Sequence, residues 1–106
     1  MDRVEQLKAL IEKNPQDAFP RYGLAMEYKN QAKYQNAIQS FDQLLEQHPD
    51  YTAAYFHFGM SLRALGQKER AEEVFKRGIE VAGKKGESHA RDELQAALAE
   101  LKGPGL

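Results

Sequence analysis

The sequence predicts an all-α fold, an antiparallel helix-pair solenoid, on three observations. Apolar residues recur at helical spacing along nearly the whole length. No stretch alternates apolar and polar residues for long enough to make a strand. Residues of matching size return at an interval of 34, so that Pro15, Pro49 and Gly83 are evenly spaced.

Six helices follow in order. The first covers Met1 to Asn14 and puts Val4, Leu7, Leu10 and Ile11 on one face. Asp2 is its expected N-cap, with Glu5 three residues on as capping-box partner, and Pro15 follows its end. The second covers Ala18 to Gln31, capped by Asp17. Its Pro20 falls in the first turn, where backbone amides have no helical partner. Asn30 to Lys33 forms a tight turn. The third helix runs from Tyr34 to Gln47 and stops at His48-Pro49-Asp50. The fourth covers Thr52 to Leu65, with Gly66 as a left-handed cap. The fifth covers Lys68 to Ala82 and gives way to a loop at Gly83 to Glu87. The sixth covers Ser88 to Lys102, ahead of Gly-Pro-Gly. Every connection is short, which makes successive helices antiparallel neighbours.

Composition narrows the function. The 106 residues suit one modest domain, 42% hydrophobic and 29% charged, with a formal net charge of -1. That balance gives no general attraction to nucleic acid or to an acidic membrane. No cysteine is present, so disulfides and thiolate metal sites are excluded. The start carries charges throughout, and no apolar run reaches the roughly 18 residues of a membrane span. A cytoplasmic location is expected.

A shift of 34 superimposes Met26 on Met60, Ala37 on Ala71, Phe41 on Phe75 and Tyr22 on Phe56. Leu7, Phe41 and Phe75 form one triple; Ile11, Leu45 and Ile79 form another. Size is kept where helices would touch, as in a stack of helix pairs that each bury a face on the next. Ala25, Gly59, Ala37 and Ala71 are small where paired helices approach. Leu24, Tyr28, Phe41, Phe58, Leu62 and Phe75 are the expected filling.

These residues resemble the tetratricopeptide repeat, in its small, bacterial-type form. The family pattern places a large residue, then Leu-Gly-x2-Tyr, then Ala-x3-Phe and a closing proline. The first full repeat, residues 18–51, supplies Arg21, Leu24, Ala25, Tyr28, Ala37, Phe41 and Pro49. The second, residues 52–85, supplies Tyr55, Phe58, Gly59, Leu62, Ala71 and Phe75, with Gly83 in place of the proline. Arg21 departs from the usual aromatic. Residues 1–15 match the second half of a repeat. Residues 88–102 match a third repeat only after a two-residue insertion, and Leu94, Leu98 and Leu101 make that helix a capping element with a polar outer face.

Some apolar residues fall outside the core stripes. Phe19, Tyr22, Met26, Lys29 and Lys33 share a second face of the second helix; Ala53, Phe56, Met60 and Arg63 do the same on the fourth. The resemblance implies that these positions, with His57 beside them, line a concave groove. Such a groove would take a protein or peptide segment with apolar anchors and acidic neighbours. A groove filled by the protein's own packing is the alternative. Some members of the family grip a C-terminal carboxylate through lysine and asparagine. Tyr22, Met26, His57, His89 and Glu93 hold the corresponding positions here, so no such clamp is expected.

Catalysis is not expected. His48, His57 and His89 are far apart and have no partner at metal-ligand spacing. No phosphate-binding glycine loop or nucleophile motif occurs, and no cofactor is implied. The basic loop at Gly83 to Glu87 is a connection. Three functions compete: an adaptor that uses the groove, a self-associating or assembly subunit, in its simplest form a homodimer, and nucleic-acid binding, which near-neutral charge disfavours.

Overall fold

The computed structural model describes residues 1–103 and contains six α-helices. They are α1 (Arg3–Lys13), α2 (Ala18–Asn30), α3 (Tyr34–Gln47), α4 (Thr52–Ala64), α5 (Lys68–Lys85) and α6 (Ser88–Lys102). Among the described residues no strand is present. The Pro-Gly part of the expected Gly-Pro-Gly stop lies outside the described residues. The helices fall into two compact units that divide between Pro49 and Asp50.

In the first unit, α2 packs against both α1 and α3. Two carboxylates start its first two helices. Asp2 accepts a hydrogen bond from the Glu5 amide at 2.9 Å, and Asp17 accepts one from the Phe19 amide at 3.1 Å. Each satisfies an amide that has no partner within its helix. Leu7 leans on the backbone of Gly23, where an added Cβ would lie 3.1 Å from its Cδ2. Leu24, Ala25, Tyr28, Ala37, Ile38, Phe41, Leu44 and Leu45 are buried. Pro20 is also buried inside α2's first turn, as its lack of an amide proton allows. Arg21 donates through Nε to the Pro15 carbonyl at 3.1 Å, which gives the unusual residue a local task. His48 ties the end of α3 to the Gln16 carbonyl at 3.0 Å.

The α2–α3 turn is tight, and Ala32 adopts a φ of 58°. The Ala32 amide donates to Lys29 and the Lys33 amide to Tyr28. One repeat later the same two bonds run from Gly66 to Arg63 and from Gln67 to Leu62, with Gly66 at φ 76°. The expected left-handed cap is therefore in place at Gly66. Its counterpart carries a methyl group at some cost in strain.

In the second unit, α4, α5 and α6 each touch the other two. Phe75 meets the backbone of Gly59, and Tyr55 meets that of Gly78. As α4 runs backward from 59 to 55, α5 runs forward from 75 to 78, so the pair is antiparallel. Leu94 of α6 also reaches Gly78, with its Cδ1 3.0 Å from where a Cβ would be. Lys102 pairs with Glu72 at 3.5 Å, which fixes α6 antiparallel to α5. Arg63 and Glu100 are 3.6 Å apart, and Thr52 bonds to Glu87, so α6 runs parallel to α4. Leu94, Ala97 and Leu101 are buried and Leu98 is half-buried, while Arg91, Asp92, Gln95 and Glu100 face out. Alternating burial and charge on α6 thus make the outward surface polar.

One boundary needs correction. The expected loop at Gly83 to Glu87 is largely helix, because α5 continues through Gly83 to Lys85. Its stop is Gly86, at φ 70°, and the Glu87 amide closes onto the Ala82 carbonyl. Gly83 meets nothing within 4 Å and follows the helix without serving as its cap. Lys85 is also committed: its ammonium donates to the Asp50 carbonyl at 2.6 Å and to the Thr52 hydroxyl at 3.3 Å. It thereby ties the end of α5 to the start of α4.

Candidate functional site

The residues expected at the interaction surface lie on α2, α4 and the turn after α2. On α2, Phe19, Tyr22 and Met26 line one hollow of about 260 Å³, together with Arg3, Leu7, Gly23, Glu27 and Asn30. Their spacing of three and four residues places them along one side of the helix. Capping by Asp17 fixes the start of that helix, and burial of Leu24 and Tyr28 on its other side fixes its rotation. Phe19 is 73% exposed, so its ring serves no core packing. Lys29 is half-buried and Lys33 is exposed at the start of α3; neither lines this hollow.

On α4, Phe56, His57 and Met60 are half-buried, whereas Ala53 is exposed. Phe56 and His57 stack edge to face, with ring centroids 5.2 Å apart. The Ser61 hydroxyl donates to the His57 carbonyl at 2.9 Å, within the helix. Arg63 faces the Glu100 carboxylate. Its cation is thus shared with α6.

A second hollow, of about 520 Å³, adjoins the first on the α1 side of Phe19. Arg3, Leu7, Leu10, Lys13, Asn14, Asp17, Phe19 and Pro20 line it. The sequence had put Leu7 and Leu10 together on the buried face of α1. Leu7 is buried there, but Leu10 is 52% exposed. Gly23, which lines the first hollow, has no side chain and lets Leu7 pack against the backbone of α2.

The ionisation of Tyr55 and Glu72 is shifted. The Tyr55 phenol is pushed up by burial, against the opposing pull of Arg77. The Glu72 carboxyl is held below the usual range, first by hydrogen bonding and charge from Lys76, then by Lys102. The Tyr55 shift comes from packing and the Glu72 shift from ion pairs at the surface. Among the described residues, no three histidine or carboxylate side chains cluster as a metal site requires, and no helix is long and apolar enough to cross a membrane. What the surface offers is apolar area with charged edges.

Helix pairs repeating at this interval, with small residues where they touch, define a helical-repeat fold. The chain belongs to the tetratricopeptide repeat family, whose model matches residues 28–101. A tetratricopeptide-repeat protein of Pseudomonas aeruginosa is 26% identical over 98 residues, which cover 92% of this chain and 93% of that protein. A tetratricopeptide repeat domain protein from Salinibacter ruber, solved by NMR, is 34% identical with a TM-score of 0.79, covering 87% of this chain and 93% of that one. The TPR2B domain of yeast Sti1, in complex with pHsp70, shares the fold at a TM-score of 0.87 and 16% identity, over 93% of this chain and 79% of that one.

Proposed function

We propose that this chain is a non-enzymatic protein-interaction module that binds a peptide or helical segment on the apolar face of α2. The observation that carries the reading is the hollow beneath Phe19, Tyr22 and Met26, three large side chains brought together on α2 outside the core. In the other unit, Phe56, His57 and Met60 form an apolar stripe on α4 that could serve in the same way. Aromatic and methionine side chains supply much contact area and adapt to irregular partners. Lys33, exposed in the turn after α2, favours a segment with acidic residues beside its apolar anchors. That a family member such as Sti1 TPR2B is complexed with another protein supports a binding role of this kind.

Selection from a random peptide library, followed by NMR titration of the best binder, tests the reading. Shifts are expected at Tyr22 and Met26, with affinity lost in a folded Tyr22→Glu, Met26→Glu variant. Shifts confined to α3 and α5, or an unchanged affinity in that variant, would overturn it.

A further inference from the structure

The two hollows beside α1 form one channel along the α1–α2 seam, because Arg3, Leu7 and Phe19 line both. It runs from Asn14 and Asp17 at one end to Arg3, Glu27 and Asn30 at the other. Three of the chain's exposed large apolar side chains, Met1, Leu10 and Phe19, belong to α1 and α2 or their approach.

The second unit shows what such a seam accepts. By the repeat interval, α5 and α6 correspond to α1 and α2. There the seam is covered by α4, which lies antiparallel to α5 and parallel to α6. Tyr55 of α4 sits over Gly78. The position equivalent to Gly78 is Leu10, which is half-exposed. Among the described residues of the first unit, no helix occupies the place that α4 takes in the second.

We propose that, when no peptide is bound, a second copy of this chain fills the α1–α2 seam, and that the two copies pair through a two-fold axis; the hollow at Phe19, Tyr22 and Met26 then serves one occupant at a time. The occupant is the second copy's α1, antiparallel to the first α1, in the orientation that α4 adopts on α5 and α6. The charges select this occupant. The α1 wall of the seam carries Arg3 and Lys13, and the α2 wall carries Asp17 and Glu27. An α1 laid antiparallel to its twin runs parallel to α2. Arg3 of each copy then meets Asp17 of the other, and Lys13 meets Glu27. A two-fold interface needs this kind of self-complementary surface. The same contact buries Leu10 and Phe19 of both copies, so the apolar and charged parts agree. The polar outer face of α6, with Arg91, Asp92 and Gln95 exposed, offers no comparable seat.

Sedimentation velocity on the full chain, from low micromolar to several hundred micromolar, tests the proposal. A reversible monomer–dimer equilibrium is expected, and Leu10→Asp should leave only monomer. Lys13→Glu and Glu27→Lys each place like charges at both ends of the contact and should weaken the dimer about tenfold or more. An equimolar mixture of these two variants restores both opposite-charge pairs and should recover the wild-type dimer. Lys13 is exposed and Glu27 half-exposed, so this exchange also carries the test if Leu10→Asp disturbs folding. A wild type that stays monomeric, a dimer indifferent to the charge changes, or a mixture that fails to recover would each overturn the proposal. So would a seam that binds a foreign amphipathic helix while the wild type remains a monomer.

Discussion

The ring of Phe75 lies directly against the backbone of Gly59: a Cβ at Gly59 would be 2.2 Å from its Cε1. Both residues are buried, so the ring could move only by displacing packed neighbours. Alanine normally favours a helix over glycine by roughly 1 kcal/mol. Here the clash wins, because the obstacle is a ring inside the core and not the end of a flexible chain. Gly59→Ala should lower unfolding stability by about 1–3 kcal/mol in urea titration. An unchanged or raised midpoint would mean that the α4–α5 contact is looser than described.

Phe75 itself should matter more. It is fully buried beside Gly59 and has a counterpart in Phe41 one repeat earlier. Phe75→Ala leaves a cavity and should cost about 3–5 kcal/mol, a large share of a small domain's stability. Thermal melting followed by circular dichroism checks this. A melting temperature equal to the wild type's would refute its place in the core.

The fold was legible because packing is repeated and repetition is visible in one sequence. Ala25, Ala37, Gly59 and Ala71 all prove buried, as their small size at fixed intervals implied. The end of α5 was less legible. Glycine commonly marks a helix end, and Gly83 stood at the interval of the prolines. Its conformation is decided by the next turn, where Gly86 takes the left-handed geometry and Lys85 is anchored to Asp50 and Thr52. Gly78 was overlooked for a related reason: its smallness serves Tyr55 and Leu94 on two other helices, a relation that no single-helix pattern displays. The hollow at Phe19, Tyr22 and Met26 follows from their spacing on α2. Its extension toward Leu10 depends on what lies beside α1, which helical periodicity does not encode.

The strained turn gives a prediction of the opposite sign. Ala32 holds φ at 58°, while the equivalent Gly66 takes 76° with the same hydrogen bonds. Ala32→Gly relieves the Cβ contact in the folded chain, though it also frees the unfolded chain. Relief should prevail, raising stability by a few tenths to about 1 kcal/mol. Gly66→Ala should lower it by a similar amount. If both variants melt below the wild type, the two turns are not equivalent.

Glu72 links helix α5 to α6 and makes that link depend on pH. Its carboxylate lies 3.0 Å from Lys76 and 3.5 Å from Lys102. Those neighbours hold its pKa below the ordinary carboxyl value in the folded chain, with Lys76 the larger influence. The unfolded chain therefore takes up the proton first as pH falls. The stabilising contribution is fully present above the ordinary carboxyl pKa and disappears as pH drops through the lowered one. The effect should be small, since Lys76 and Lys102 are more than half exposed to solvent and salt. Glu72→Gln should therefore melt slightly below the wild type at neutral pH and low salt. The two curves should converge in strong acid, where the wild-type carboxyl is also neutral, and approach each other in high salt. A difference that stays constant across the acid range would assign the loss to packing instead of charge.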